Sequence, residues 1–454
     1  MYDKLRQHII RIGRKLWEYG ELPAMEYKSC KLLSDWLRKE GFQVQENYCD
    51  VPTAFKAVYG TGKPVIGILA EYDALAGLSN AEEVLRRPGG SLVGGHACLH
   101  NHIGAVNTGA AVAVKEYLQR HPAEGTIILY GCPAEEVLWG KVAMYGRGGF
   151  EEADILLTSH VDYQNAAISR PTMAACHGEF IFRGVSVHGG MAPKSNALSG
   201  LEQLIRSAEA MQASLYPDAS LLHVIRQGGV MPNIVPDSAC AWFMVRDREY
   251  DRALKLYGFI KEEAFLYGKQ LGLEVEERFI SATHGYLPND TLGALLYECM
   301  PDTKKLYSDS EADQLKQLAE AATGQACGDF HQEKQFLQDG YDYYSQDDGE
   351  VSRHIPLGRV NWAIPEGMPL HNRCTTAFAG MDLSYRGSLM AGGTLYKVAV
   401  RILQCPDIAV KAKQELEYRT KDVLMPDSIY CSDIGFLWRC ESFAGETLFH
   451  KAWR

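Results

Sequence analysis

Three short apolar runs, each followed closely by ionisable side chains, limit what this chain can fold into. The runs are residues 64–70, 126–130 and 155–159, and their apolar side chains do not alternate with polar ones. Runs of this kind are typical of parallel strands that are buried on both faces. A segment with helical spacing, residues 105–118, lies between the first two runs, so the pattern predicts strands and helices alternating around a mostly parallel sheet.

Ionisable side chains follow these predicted strands at the points where the strands end. Asp73 comes after the first strand, and Glu135 and Glu136 come after the second. His160 follows the third strand directly. Because ligands of open α/β sheets bind outside the carboxyl ends of the strands, we expect these side chains to converge there. The intervening loop, residues 95–102, would join them.

The loop of residues 95–102, with the sequence Gly-His-Ala-Cys-Leu-His-Asn-His, supplies a thiol and three imidazoles. Thiolate, imidazole and carboxylate groups are common ligands of transition metals, so this composition is typical of a metallohydrolase. Two other interpretations remain open at this point. Cys98 can be a small buried apolar residue beside ordinary loop histidines, or it can be a nucleophile with His100 or His96 as its base.

The pattern changes near residue 179 and returns near residue 285. Between these positions strands and helices are predicted in the order β-α-β-β-α-β, which is typical of a self-contained, ferredoxin-like α+β domain. A chain of 454 residues is long enough for two domains. We therefore predict an α/β protein in which residues 1–178 and 285–454 form a discontinuous catalytic domain and residues 179–284 form an inserted domain.

Charge and composition exclude some classes of partner. The formal net charge of -11 argues against a nucleic-acid-binding surface, which requires a basic face. No apolar run is long enough to span a bilayer, and the N-terminal residues lack the apolar stretch of a signal peptide, so we expect no membrane partner and a cytoplasmic location. The 12 scattered cysteines are then expected to be free thiols.

Several short segments occur in an order that is shared with a known family. They are residues 70–75, 95–101, 133–136, 159–160, 187–188, 192–193, 228–229, 232–237, 345–352 and 369–371. In this order they resemble the metal-dependent amidohydrolases related to aminoacylase and carboxypeptidase G. The similarity is strongest to the branch of aminobenzoyl-glutamate hydrolase and the plant auxin-conjugate hydrolases, and it extends from Leu5 to about Leu416.

The resemblance implies two divalent metal ions, Mn²⁺ or Zn²⁺, in the catalytic domain. It implies that the ions are bound by Cys98, His100, Glu136, His160 and His371, with Cys98 as the bridge. A thiolate between two cations is deprotonated by their charge. Glu135 is implied as the general base that takes a proton from the attacking water and delivers it to the leaving nitrogen. Considered alone, Glu135 and Glu136 would indicate a solvated helix start.

The resemblance also implies roles for carboxylates outside the ligand set. Asp73 is expected to orient a metal-binding histidine, although a lone carboxylate at this point could instead cap a helix. Asp347 and Glu350 occupy a segment that is acidic in the family, and they could equally be structural turn residues.

The inserted domain is implied to bind the substrate. His188 would polarise the scissile carbonyl, Asn233 would bind substrate, and Arg246 would grip a carboxylate of a small molecule. A surface salt bridge to Asp247 or Asp237 is the other interpretation of Arg246. The family expectation is a homodimer formed through the inserted domain, which acts as a lid and allows His188 to act across the dimer interface.

Two residues depart from the family pattern. Leu99 stands where glycine is usual between the cysteine and the histidine, and His102 stands at a commonly apolar or glycine position. We expect Leu99 to alter the substrate pocket, because its side chain enters a point of close backbone approach. His102 is expected to be a solvent-exposed loop residue and His96 to bind no metal.

The resulting prediction is hydrolysis of an amide bond in a small N-acyl or N-aroyl amino acid or a dipeptide, with Glu135 as the base. The alternative with the same site is a metal-dependent deaminase of an aromatic or heteroaromatic amine. A non-catalytic homologue that binds a metal or a small molecule is the third possibility. Imidazole, carboxylate and thiolate suit both Zn²⁺ and Mn²⁺, so the residue types do not select the metal.

Overall fold

The fold is that of a computed structural model of the chain, which describes residues 1–78, 93–121, 124–191, 195–304, 306–328, 330–423 and 426–438. The chain divides into two compact units. Unit 1 consists of Met1–Thr172 and His284–Ser428, and unit 2 consists of Met173–Thr283 and the segment that begins at Ile429. The family motif at residues 192–193 lies outside the described residues.

Helices and strands are numbered along the chain. The helices are α1 (Arg6–Tyr19), α2 (Tyr27–Lys39), α3 (His100–Arg120), α4 (Gly140–Gly146), α5 (Ala197–Leu215), α6 (Tyr250–Leu271), α7 (Asp290–Cys299), α8 (Asp309–Thr323), α9 (Asp348–Ser352), α10 (Arg373–Ala379), α11 (Tyr385–Gln404) and α12 (Asp407–Thr420). The strands are β1 (Gln43–Glu46), β2 (Phe55–Thr61), β3 (Val65–Glu71), β4 (Leu75–Ala76), β5 (Gly94–Gly95), β6 (Gly125–Cys132), β7 (Ile155–Asp162), β8 (Asn165–Ile168), β9 (Ala174–Arg183), β10 (Val187–His188), β11 (Ser220–Gln227), β12 (Ile234–Val235), β13 (Ser238–Asp247), β14 (Glu274–Thr283), β15 (Lys334–Leu337) and β16 (Leu357–Ala363). None of the helices in the described part of the chain combines the length and the apolar character needed to cross a bilayer.

Unit 1 is built on an eight-stranded sheet with the order β1-β2-β6-β3-β7-β16-β8-β15. The central strands β6, β3, β7 and β16 are parallel to one another, whereas β1, β2 and β6 pair antiparallel and so do β16 and β8. The sheet is therefore mixed but mostly parallel. The central strands are buried along nearly all of their length, which explains why the sequence shows continuous apolar runs there.

The core of unit 1 is formed where α3 and α11 cover this sheet. Small and branched side chains from both helices meet the central strands; among them are Ala110, Val114, Leu395, Ala399, Ile68, Leu129, Leu157 and Val360. α3 begins at His100 rather than at residue 105, because the amides of His102 and Ile103 already donate to the carbonyl of Leu99. The histidine-rich segment is therefore partly helical, and its second half is not a loop.

Unit 2 has an antiparallel four-stranded sheet with the order β11-β13-β9-β14, covered by α5 and α6. Its long elements follow one another as strand, helix, strand, strand, helix, strand. The core of this unit is separate and aromatic-rich; it includes Phe180, Phe182, Phe243, Leu201, Leu204, Leu256 and Ile260. Unit 2 therefore buries its own apolar surface.

The tail of the chain differs from the predicted division. The segment from Ile429, which the sequence analysis placed in the catalytic domain, groups with unit 2. The amide of Ala282 donates to the carbonyl of Ile429, and the amide of Cys431 donates to the carbonyl of Ile280, both at 2.8 Å. These bonds join the tail to β14. Unit 2 also begins earlier than residue 179, since β9 already starts at Ala174.

Candidate metal centre

Neighbouring strands of unit 1 end at a common edge, and ionisable side chains follow each of them. β3 ends in Glu71, and β6 is followed by a short 3-10 helix, Glu135–Val137. His160 lies near the end of β7, the other neighbour of β3. His100, at the start of α3, reaches the same edge, where its Nε2 is 3.7 Å from Oε2 of Glu71. The predicted convergence of these side chains is present in the structure.

Two groups of possible metal ligands share Cys98. The first consists of Cys98, His100 and His160, whose ligand atoms lie within 4.8 Å of one another. The second consists of Cys98, Glu136 and His371, at the same separation. These are the five side chains that the family resemblance implies as ligands. A thiol shared by two such groups is the arrangement that a pair of ions bridged by Cys98 would require.

The individual distances in these groups are short. Sγ of Cys98 lies 3.6 Å from Nε2 of His160, and both side chains are buried. Nε2 of His371 lies 3.6 Å from Oε2 of Glu136. The His371 side chain is 53% exposed, so the centre is reached from solvent on the His371 side.

The ring of His100 is oriented by Asp73. Nδ1 of His100 lies 2.8 Å from Oδ1 of Asp73, and both residues are fully buried. The Nε2 atom makes no hydrogen bond to the described residues, and it faces oxygens of Glu71, Glu135 and Glu136 at 3.7, 3.6 and 3.8 Å. A histidine that binds a carboxylate through one nitrogen presents the lone pair of the other to a metal. The donor set therefore fits a divalent cation here.

A tight turn presents Glu135 and Glu136. Ala134 has a φ of 56°, and a Cβ added at Gly140 would lie 1.7 Å from the carbonyl oxygen of Pro133. Only glycine fits at that close approach. The amide of Glu136 donates to Oδ2 of Asp73 at 2.9 Å. The same carboxylate that orients the metal-centre histidine thus also holds the turn.

Two buried residues that the sequence analysis did not single out, Glu71 and Lys141, lie at this centre. Nζ of Lys141 is 2.7 Å from Oε1 of Glu71 and contacts Oδ1 of Asp347, whose Oδ2 accepts from the Lys141 amide at 2.7 Å. Glu71 also forms a third possible ligand group with His100 and Glu135. Only Glu71 carried a signal in the sequence, because it ends a buried strand.

The charges of this centre shift one another. Burial and the neighbouring Glu71 carboxylate raise the pKa of Glu135 well above its usual range, and burial raises the pKa of Glu136 to about 8. Against the effect of burial, the Lys141 ammonium lowers the pKa of Glu71 to about 2. Also against burial, the Glu136 carboxylate holds the pKa of His100 well above its usual range. Cations relieve such a concentration of carboxylates, which is a second argument that the donor set fits metal ions.

Asp347 and Glu350 are buried partners of basic side chains, and the alternative that they are ordinary turn residues does not fit this environment. Asp347 is fully buried against Lys141. Oε2 of Glu350 lies 2.6 Å from Nδ1 of His284, and its Oε1 accepts from Oγ of Ser428 at 2.6 Å. Neither carboxylate belongs to a possible ligand group among the described residues.

His102 is buried, so the expectation of a solvent-exposed loop residue is wrong. It lies in the first turn of α3, where Nδ1 is 2.9 Å from Oγ of Ser388 and Nε2 is 3.0 Å from the carbonyl of Ala379. Its ring stacks on Tyr385, with the centroids 3.8 Å apart. Burial lowers the pKa of His102 to about 3, so the ring is neutral. The early start of α3 places this residue against α11.

The substitution His102→Ala is expected to lower the free energy of unfolding by about 2–4 kcal/mol, because it leaves a cavity and removes buried hydrogen bonds. Metal content is expected to stay at the wild-type level. Urea denaturation and elemental analysis measure the two quantities. A change below about 0.5 kcal/mol, typical of an exposed residue, or a loss of metal would contradict this structural assignment.

Leu99 and His96 are also buried. Leu99 has a φ of 56°, and its side chain is part of the hydrophobic core of unit 1. A residue with a Cβ enters this backbone region at a cost of about 1–2 kcal/mol, which burial of the leucine side chain offsets. The side chain therefore packs in the core, in contrast to the expectation that it alters the substrate pocket. His96 contacts the carbonyl of Leu16 through Nε2 at 3.0 Å and belongs to none of the described ligand groups.

In unit 2 the structure brings His188 and Asn233 together. His188 lies in β10, which pairs with β12, and the amide of Gly189 donates to the carbonyl of Asn233 at 2.8 Å. Both side chains are exposed. These residues lie beyond the end of the sheet that contains Ser238. Arg246 lies toward the other end of β13, about 25 Å from Ser238 at the usual rise of a strand.

Comparison with known proteins adds a family to this geometry. The profile of the peptidase dimerisation domain, M20_dimer, matches residues 172–260, which fall almost wholly in unit 2. One of the polypeptides of the p-aminobenzoyl-glutamate hydrolase of Escherichia coli (strain K12) is 28% identical over 448 residues, which cover 90% of this chain and 92% of that protein. The chain is an M20-type hydrolase. This confirms the family that the motifs resemble.

Other relatives agree with this assignment. The IAA-amino acid hydrolase ILR1-like 2 of Arabidopsis thaliana is 26% identical to the M20-type hydrolase, over 80% of this chain and 83% of that protein. Among solved structures, the Bacillus subtilis YXEP protein, a dinuclear metal binding peptidase from the M20 family, matches with a TM-score of 0.55 at 18% identity, covering 88% of this chain and 99% of that chain. At that identity the likeness shows the fold.

Proposed function

We propose that this M20-type hydrolase cleaves an amide bond in a small N-acyl or N-aroyl amino acid or a dipeptide. The observation that carries the proposal is the pair of ligand groups that share Cys98. In the proposal, two ions, Mn²⁺ or Zn²⁺, are held by Cys98, His100, Glu136, His160 and His371. When bound, such ions supply Lewis acidity and lower the pKa of water.

Glu135 is proposed as the group that moves the proton. It is buried, and its Oε2 lies 3.6 Å from Nε2 of His100, yet it belongs to neither group that shares Cys98. Its carboxylate is thus beside the ligands without being needed as one of those five. A carboxylate in this position can accept the proton of the attacking water and release it to the leaving nitrogen.

Unit 2 is proposed as a ferredoxin-like lid through which two copies of the chain associate. β11 lies at the edge of its sheet and exposes Leu222, Val224 and Ile225. An edge strand with exposed apolar side chains favours pairing with another strand. The match of residues 172–260 to a peptidase dimerisation domain supports a second copy as the partner.

His188 and Asn233 are proposed to bind substrate in the active site of the other copy. They lie beyond one end of the unit 2 sheet, and Arg246 lies toward the other end, so a small substrate cannot contact all three within one copy. Arg246 is proposed to bind a substrate carboxylate. The adjacent Asp247 accepts from Nε of Arg252 at 3.0 Å, so that carboxylate has a cation of its own.

Mixing two inactive variants tests the shared site. Glu135→Gln and His188→Ala homodimers are each expected to be nearly inactive. Random exchange of their chains is expected to restore about a quarter of wild-type turnover, because half of the dimers are mixed and each mixed dimer has one intact site. Turnover assays after mild unfolding and refolding of the mixture measure this. Recovery absent from a mixture that native mass spectrometry shows to be exchanged would contradict a site built from two copies.

The substrate class is tested by incubation of the metal-loaded protein with three probes. These are p-aminobenzoyl-glutamate, an indole-3-acetyl amino acid and a dipeptide, and mass spectrometry identifies the products. The expected result is release of a free amino acid and an acid in equal amounts from at least one probe. Release of ammonia alone from an aromatic amine would favour a deaminase, and failure to cleave all three probes would contradict the proposal.

A further inference from the structure

Glu26 is a fully buried carboxylate whose oxygens accept hydrogen bonds from distant parts of unit 1. It lies just before α2 and is 0% exposed. Its Oε1 accepts from the amides of Ala24 and Ala134, each at 2.9 Å, and its Oε2 accepts from Oγ1 of Thr53 at 2.6 Å. One side chain therefore joins three segments that are remote in the sequence.

The contact with Ala134 links Glu26 to the metal centre. Ala134 directly precedes Glu135, and its φ of 56° lies in the left-handed region, which costs an alanine about 1–2 kcal/mol. A buried amide that has lost its acceptor costs about 1–3 kcal/mol more. Glu26 supplies that acceptor. It therefore stabilises a backbone conformation that the turn would not favour alone.

Glu26 and Asp73 hold the turn at two points. Asp73 accepts from the amide of Glu136 at 2.9 Å, and Glu26 accepts from the amide of Ala134. Glu135 lies between these two anchored amides. The direction of its side chain thus depends on two buried carboxylates, and only Asp73 also contacts a proposed metal ligand side chain.

We propose that Glu26 is a positioning residue, which holds the turn of residues 134–136 and thereby places the carboxylates of Glu135 and Glu136 for hydrolysis. The catalytic part of this inference rests on the proposed function. A displacement of about 1 Å in a catalytic group can lower a rate by about 100-fold, so a residue that touches no substrate can control turnover in this way.

Two variants at this position separate the hydrogen bond from the bulk of the side chain. Glu26→Ala removes the acceptor and is expected to speed amide exchange of residues 131–139 by about 5- to 30-fold, as measured by mass spectrometry of the metal-free protein. Its kcat is expected to fall about 10- to 100-fold with little change in KM. Glu26→Gln keeps an acceptor oxygen and offers an NH2 group to Oγ1 of Thr53, so it is expected to restore both properties.

Glu21 offers a matched control in the same loop. It accepts from the amides of Lys28 and Ser29 at 3.0 and 2.8 Å, so it stabilises the start of α2 without contacting the turn. Glu21→Ala is expected to leave exchange of residues 131–139 and kcat at wild-type values. If Glu26→Ala does not fold, Glu26→Asp, whose shorter side chain draws the acceptor away from Ala134, is expected to change exchange in the same direction.

Unchanged exchange of residues 131–139 in the folded Glu26 variant would overturn the inference. An equal effect of Glu21→Ala would also overturn it, since the effect would then belong to the loop as a whole. Exchange is read without a substrate. A failure of the wild-type protein to cleave any probe would therefore count against the proposed function alone.

Discussion

Glu135→Gln is expected to lower kcat for amide hydrolysis by about 10²- to 10⁴-fold, because a carboxamide cannot accept the proton of the attacking water. Metal content is expected to remain at the wild-type level, since Glu135 belongs to neither of the ligand groups that share Cys98. Steady-state kinetics on a cleaved probe and elemental analysis of the same preparation measure the two effects.

Glu136→Gln is the matched control for this variant, because it changes the adjacent carboxylate of the same turn. Glu136 is a member of a ligand group with Cys98 and His371, so its substitution is expected to lower metal content as well as turnover. An unchanged rate in Glu135→Gln would refute Glu135 as the base. Equal loss of metal in the two variants would instead show that both carboxylates are ligands.

Lys141→Met is expected to lower the free energy of unfolding by about 3–5 kcal/mol, the usual cost of removing one partner from a buried ion pair. Lys141 and Asp347 are 0% exposed and Glu71 is 2% exposed, so the variant leaves two carboxylates buried without their cation. Urea denaturation of the metal-free protein measures the change. Bound metal is expected to restore part of the stability, because cations reduce the repulsion between the carboxylates.

Lys63→Met is the control for this prediction. Nζ of Lys63 is 2.9 Å from Oδ1 of Asp154, but the lysine side chain is 69% exposed. An exposed pair of this kind contributes less than about 1 kcal/mol. If both lysine variants changed the unfolding free energy by the same small amount, the buried pairs of Lys141 would not be stabilising the centre as inferred.

The sequence predicted the edge of the sheet at which the chemistry lies. Continuous apolar runs identified β3, β6 and β7, and the parallel connection of these strands brings their ends together, so Asp73, Glu136 and His160 could be placed near one another before any coordinates were known. The α/β class of the fold followed from the same alternation. Cys98 and His371 depended on the resemblance to a family, because neither ends a predicted strand.

Other parts of the centre could not be predicted because they depend on contacts between distant segments. Lys141 looks in the sequence like an ordinary lysine at the start of a helix, and its role appears only when Glu71 and Asp347 are both beside it. Glu26 likewise lies in a surface-like stretch of charged residues. The position of His102 was wrongly predicted because α3 begins before its apolar pattern does, at an N-terminal turn that is buried by α11.

The most direct test of the account is a comparison of metal content with turnover. The purified protein is dialysed against a chelator, its metal is measured by elemental analysis, and turnover of a cleaved probe is followed as Mn²⁺ or Zn²⁺ is returned. We predict about two divalent ions per chain, with turnover lost and regained in proportion to the metal and no recovery in Cys98→Ala. Full turnover at less than about a tenth of an ion per chain would contradict the account.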